Sequence, residues 1–437
     1  MNRILFIAPL PPPVHGSAMV SKYIKDSAKV QSVAQCDWVN LSTSRRMDEI
    51  GKGGAMKLLR FMGAYLKTLW LLLTHRYDLC YLAITCHGIG FLKDAPFVWL
   101  CKMFGCKVLI HQHNKGMSNC IDRWPYRWLI PYIYKRTRVM LLSWYLYPDI
   151  EKAVRREQVM ICANGIAAEQ QVNAASPRLN VAEQQVNCDD SQVNVAEQRL
   201  IATGSQVNVA EQRLKDSQSQ GDDSPATPLR LTSSSAAINL SEAAPLTAHR
   251  SPLIVNLLFL SNLSPSKGVY VLLDACKMLK DRGVAFQCNF VGGESKEMDR
   301  RAFEEAVKER ELEGHVLYLG PKYGEEKEHY WSMADVFVFP TFYHNECMPL
   351  TILEAMQHGL PVVSTDEGAV PDMVADGENG FVCRRKDAEG LAMALERLLQ
   401  DEALRHRMGA EGYRRYKENF TLQCFERRFV ECLRRGE

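Results

Sequence analysis

Residues 336–364 read VFVFPTFYHNECMPLTILEAMQHGLPVVS. The apolar run 336–340 has the length of a buried strand and stops at a proline. A polar loop follows, and Pro349 stands where prolines favour the start of a helix. An apolar-periodic stretch then runs to His358 and Gly359, and 361–364 is a second β-rich run. Strand, helix and strand in so short a span is the unit of a parallel sheet covered by helices.

The same alternation continues outward. Upstream within this part of the chain, strands are predicted at 254–260, 285–291 and 316–319, with helices at about 267–281, 297–311 and 325–333. Downstream, 388–435 is a run of helical patterns. Far earlier, strands are predicted at 3–8, 77–85, 107–113, 138–142 and 158–162, with amphipathic stretches at 55–75 and 91–104. A chain of 437 residues has material for more than one core. The expectation is an α/β protein of two Rossmann-like, doubly wound domains, at 1–165 and 251–437.

Between them, 166–250 breaks the pattern. SQVNVAEQRL occurs at 191–200 and again, letter for letter, at 205–214, and the whole stretch lacks aromatic residues. The spacing is too short for a solenoid unit. So little apolar surface cannot offset the entropy of ordering, which predicts a repetitive, disordered insertion.

Composition narrows the function. Fourteen scattered cysteines without paired zinc knuckles read as reduced thiols. The N-terminus has no long apolar run, and the most apolar segment, 58–73, is interrupted by Arg60 and Lys67. A packed helix is expected there rather than a membrane span, in a cytoplasmic protein. The net charge of +2 conceals an asymmetry: 23 Lys and Arg against 10 Asp and Glu over 1–165, but 24 against 31 over 251–437. A basic first domain suits an anionic substrate or surface. No nucleic-acid-binding signature accompanies the charge.

The chemistry concentrates in Glu346-Cys-Met-Pro-Leu-Thr-Ile-Leu-Glu354. Glu346 falls on the loop and Glu354 about one turn inside the helix, whose first amides form an anion site suited to a diphosphate. The segment resembles the E-x7-E signature of retaining glycosyltransferases of family 4, which have the GT-B fold. Ser261-Asn-Leu-Ser-Pro-Ser-Lys267-Gly268 resembles the family's phosphate loop. Glu354-Ala-Met-Gln-His-Gly359-Leu-Pro361, Gly368-Ala-Val-Pro371-Asp372 and Gly377-Glu-Asn-Gly380-Phe match in order. The resemblance implies a nucleotide diphosphate sugar as donor, held by Asn262, Lys267, Glu346, Met348, Pro349, Leu350 and Glu354. It also implies a glycan or lipid-linked acceptor, retention at the anomeric carbon, and no metal or other cofactor. Departures from the pattern are Ser261-Asn262 for the usual Gly-Arg, Cys347-Met348 for Gly-Phe, and Pro349 for Gly.

In the first domain the resemblance places a Gly-containing loop near the reacting sugar, at Pro11-Pro-Pro-Val-His15-Gly16; an ordinary βα turn fits equally well. A family histidine at the cleft edge corresponds to His113, which shares a strand face with His111 and lies nearer the loop. His87 reads as a polar loop residue. Residues 124–138 mix aromatics with cations, the composition of an interfacial helix on anionic lipid. A helix packed on the sheet with a basic edge fits as well, and the charge of the domain favours membrane contact. Other readings of the same architecture are a nucleotide-sugar epimerase, or a degenerate transferase acting as an assembly partner.

Overall fold

Strands that are apolar at every position need cover on both faces, and such strands lie at the centre of two all-parallel sheets. A computed structural model describes residues 2–13, 16–44, 54–167 and 254–436. The first sheet contains β1 (Asn2–Ala8), β2 (Ala34–Asn40), β3 (Leu79–Leu82), β4 (Lys107–His111), β5 (Arg138–Leu141) and β6 (Val159–Ile161), in the order β2-β1-β3-β4-β5-β6. The second contains β7 (Val255–Leu260), β8 (Phe286–Val291), β9 (Val316–Tyr318), β10 (Val336–Phe339), β11 (Val362–Thr365) and β12 (Gly380–Cys383), in the order β12-β11-β10-β7-β8-β9. All four residues of β3, β10 and β11 are buried. The two-domain α/β architecture expected from sequence is present.

Two strands escaped the sequence reading, β2 and β12, and each is an outer strand of its sheet. The other two outer strands, β6 and β9, were expected; β2 (Ala-Gln-Cys-Asp-Trp-Val-Asn) is interrupted by polar residues, and β12 is only four residues long and opens on a glycine. In β2 the anchor is Trp38, whose ring stacks on Phe6 with centroids 4.5 Å apart.

The halves are not separate in sequence at their ends. The helix Leu422–Gly436 leaves the second half and packs on the first sheet, where Phe425, Phe429 and Leu433 join Ile4, Phe6, Tyr81, Leu109 and Met140 in one core. Ile166 is buried; its amide donates to the Phe420 carbonyl at 3.0 Å, and its carbonyl accepts from the Leu422 amide at 2.8 Å. The first half thus extends through Ile166 and takes in the last helix. The expected repeat insertion lies, from residue 168 to 253, outside the described residues.

Candidate active site

In a doubly wound sheet the ligand crevice opens outside the carboxyl ends of the strands, where the strand order reverses. In the second sheet that point lies between β7 and β10, which carry the Lys267 loop and the Glu346 loop. The two loops interlock through their backbones. Gly268 has φ +87°, and a Cβ there would stand 2.1 Å from the Pro340 carbonyl oxygen. The Phe342 amide donates to the Ser266 carbonyl at 2.8 Å. This contact brings Lys267 Nζ to 2.5 Å from Glu346 Oε2, with the ammonium 4.6 Å from the Tyr343 ring centroid. A cation and a carboxylate 79 positions apart in sequence therefore meet as a mostly buried pair.

A third loop closes the arrangement. Gly368, after β11, has φ +61°, and a Cβ there would lie 2.5 Å from the Glu346 carbonyl and 2.6 Å from that of Cys347. The Ala369 amide donates to the Cys347 carbonyl at 2.6 Å. Only glycine supplies both the left-handed backbone and the missing volume at these two crossings.

The helix Leu350–Gln357 begins directly behind Glu346, with Pro349 as its extended N-cap and no side-chain cap. Its first amides, at Leu350 and Thr351, precede the first intrahelical bond and form the positive end of the helix. Glu354 stands one turn inside. Its Oε1 accepts from Lys327 Nζ at 3.0 Å, and its Oε2 is buried without a hydrogen bond. Glu354 does not join the Lys267–Glu346 pair; its cation comes from the helix Glu325–Met333, which sequence alone predicts as a helix without linking it to the site. Met348 is buried, and its sulfur accepts the Asn164 amide at 3.2 Å, so what it offers a ligand is backbone rather than side chain. Asn262 lies against the Gly292–Gly293 turn after β8, where the Leu263 amide donates to the Gly293 carbonyl at 2.7 Å.

In the first half, Gly16 opens the helix Gly16–Asp26, and a Cβ there would meet nothing within 4 Å. His15 lies outside the described residues. β4 ends at His111, two residues earlier than expected, and the rings of His111 and His113 lie 4.0 Å apart, on one face as predicted. His111 is fully buried. Its Nδ1 shares a hydrogen bond with the Tyr81 hydroxyl at 2.7 Å, and burial together with His113 holds its pKa well below the usual imidazole range. His113 is the more exposed of the two.

The loops at the carboxyl ends of both sheets meet. Lys115 of the first half forms an ion pair with Glu367 of the second, a buried carboxylate that also accepts from Arg385 at 3.0 Å. His87 lies 3.5 Å from Asn345, and burial, then His344, lowers its pKa. His87 is thus a contact between the halves rather than an ordinary polar loop residue. Asp149 fixes the loop that carries Lys115 by accepting the amides of Gly116, Met117 and Ser118 at 3.0 to 3.2 Å. Sequence reasoning missed Lys115, Glu367 and Lys327. The strand-end rule that selected His113 applies equally to Lys115 and Glu367, so that signal was present for two of the three.

This two-sheet arrangement defines the GT-B fold. Sucrose-phosphate synthase from Thermosynechococcus elongatus superposes over 100% of this chain and 99% of its own, with a TM-score of 0.65 at 16% identity. The Anabaena protein HepE, solved with UDP and glucose, gives 0.60 at 14% identity over 99% of both chains. Residues 255–415 match the family described as glycosyl transferases group 1. Over 153 residues it is 32% identical to the amylovoran biosynthesis glycosyltransferase AmsK of Erwinia amylovora, covering 34% of this chain and 37% of that relative. Over 155 residues it is 32% identical to the putative colanic acid biosynthesis glycosyltransferase WcaL of Escherichia coli K12, covering 35% and 37%. The similarity therefore spans little more than a third of these curated relatives.

Among the described residues no helix is long and apolar enough to cross a membrane, and no group of three or more His, Cys, Asp or Glu could hold a metal ion.

Proposed function

We propose that this chain is a cytoplasmic glycosyltransferase of the family 4 type, moving a hexosyl group from a nucleoside diphosphate sugar to a glycan or lipid-linked acceptor in polysaccharide or lipopolysaccharide assembly. The observation that carries the reading is the Lys267–Glu346 pair at the switch point, in front of the uncapped start of the helix Leu350–Gln357. Lys267 and the helix amides stabilise the charge that grows on the departing diphosphate, so the anomeric carbon can become oxocarbenium-like. Glu346 orients a sugar hydroxyl. The buried Glu354 Oε2 is an acceptor for a ribose hydroxyl of the donor. The acceptor approaches from the first half, past Gly16 and His113. Catalysis is positioning and electrostatics, without a metal, and the anomeric configuration is retained with Glu346 acting on the sugar rather than as a nucleophile.

Relatives named for amylovoran and capsular polysaccharide biosynthesis support the choice of pathway class, and neighbours solved with UDP and UDP-glucose support the donor class. Calorimetry with a nucleoside diphosphate and with its sugar conjugate, alongside a transfer assay, tests the roles separately. Lys267→Ala weakens both ligands by about 10- to 150-fold, a charge-assisted contact of roughly 1.5–3 kcal/mol. Glu354→Gln weakens the bare nucleotide too. Glu346→Gln spares the bare nucleotide and lowers transfer; equal losses for both ligands in that variant overturn the assignment. Nucleotide binding without turnover of any donor points instead to a scaffold.

A further inference from the structure

The cation that meets Glu354 lies outside the E-x7-E pattern, and its placement is specific. The helix Glu325–Met333 reads Glu-Glu-Lys-Glu-His-Tyr-Trp-Ser-Met, with Lys327 as its one lysine or arginine. Glutamates flank it on both sides, yet the ion pairs sort apart. Glu326 pairs with Lys322 at 3.5 Å and Glu328 with His358 at 2.9 Å, while Lys327 reaches across to Glu354 Oε1 at 3.0 Å.

These contacts set two helices in register. Lys327 and Trp331 stand one turn apart on the first, and Glu354 and His358 one turn apart on and just after the helix Leu350–Gln357. Lys327 meets Glu354, and the Trp331 ring stacks on that of His358, with centroids 5.4 Å apart and planes 17° from parallel. His358 Nδ1 lies 2.8 Å from the Glu354 carbonyl, which ties the second pair to the first.

The consequence falls on the Glu354 carboxylate. The last torsion of a glutamate is broad, so a carboxyl left alone turns freely and presents either oxygen. With both oxygens open it can take the two hydroxyls of a ribose together. Lys327 removes that freedom: Oε1 is drawn to the ammonium, and Oε2 is buried with no hydrogen bond. A single acceptor is left for a single hydroxyl.

We infer that Lys327 is a positioning residue of the donor site, fixing the Glu354 carboxylate so that Oε2 alone reads one ribose hydroxyl and the site selects ribonucleotides over nucleotides that lack that hydroxyl. This rests on the ribose role proposed for Glu354 and adds to it a residue that sequence does not connect with the site.

Calorimetry of the full chain with UDP, GDP and ADP, and with the 2′-deoxy and 3′-deoxy form of each, reads the selectivity as a ratio of affinities. For the best-bound nucleotide, one deoxy form is expected to bind about 10- to 150-fold more weakly, the loss of one hydrogen bond to a charged group, and the other much less so. Lys327→Met keeps the apolar stem and removes the ammonium; it brings the larger ratio close to one while the thermal transition stays in place, because the side chain is partly exposed. Lys327→Arg restores most of the ratio. Glu328→Gln, which alters the neighbouring contact to His358 without touching Glu354, keeps the ratio of the parent. In a Glu354→Gln background, Lys327→Met changes the ratio no further.

An unchanged ratio in Lys327→Met, or the same fall in Glu328→Gln, overturns the inference while the ribose role of Glu354 stands. Comparable losses with both deoxy forms also overturn it, because Glu354 would then hold the two hydroxyls together. A parent that binds ribo and deoxy forms alike, or none of the three nucleotides, overturns the ribose role itself and the inference with it.

Discussion

The two halves are built on the same plan and hold their loops differently. In the second half, the loops at the switch point are locked by backbone against backbone: Gly268 under Pro340, and Gly368 under Glu346 and Cys347. In the first half, Gly16 at the start of the corresponding helix is under no such constraint, since a Cβ there would meet nothing within 4 Å. The second half thus presents fixed charges in a fixed frame. The first is basic, exposes apolar side chains on its outer helices, and leaves space for a side chain at Gly16. A site that must recognise a constant group, such as a diphosphate, gains from rigidity, and one that must admit a bulky partner gains from space.

The largest effect is expected where the halves share a core. Phe429, from the last helix, is fully buried on the first sheet against Tyr81 and His111. Phe429→Ala is expected to cost about 3–5 kcal/mol in denaturant unfolding. A cost below about 1 kcal/mol would mean that the helix is not part of the first half's core.

Next come the glycines, which test the contrast itself. Gly268→Ala forces a Cβ into the Pro340 carbonyl at a left-handed φ and is expected to cost about 2–4 kcal/mol, with loss of nucleotide binding. Gly16→Ala is expected to stay within about 0.5 kcal/mol of the parent. Equal stabilities for the two variants would erase the distinction between a locked and an open loop.

The smallest effect is a pH dependence from His111. Its pKa is held below the usual value, so the folded protein keeps it neutral while the unfolded chain takes up a proton below about pH 6.5. The stability linked to His111 is therefore complete above that pH and lost as pH falls, by up to about 1.4 kcal/mol per pH unit. Thermal midpoints measured across this range are expected to fall more steeply for the parent than for His111→Asn, and parallel curves would remove His111 as the cause.

Ten of the twelve strands, and the helix that starts behind Pro349, were legible in sequence because apolar periodicity and helix-start signals are local. The strands β2 and β12 were not, since polar residues interrupt the first and the second is a four-residue segment opening on a glycine. The residues of the candidate site divide the same way. Lys267, Glu346 and Glu354 stood out through spacing and resemblance; Lys115 and Glu367 carried only the general strand-end signal, and Lys327 acquires its significance from a partner 27 positions away. The helix Ala55–Thr74 was legible as an amphipathic packed helix, but which helix meets its buried side, through Phe61 and Tyr65 against Phe97, is set by tertiary packing.

What the sequence determined by itself is therefore the alternation of elements, the carboxylate pair with its phosphate-loop lysine, and the charge asymmetry between the halves. Each depends on residue type and near neighbours. The tertiary structure decided which charges pair, that the last helix crosses to the first sheet, and which apolar faces remain open to solvent. These depend on distances between segments remote in the chain, which the packing of two parallel sheets fixes and no local pattern encodes.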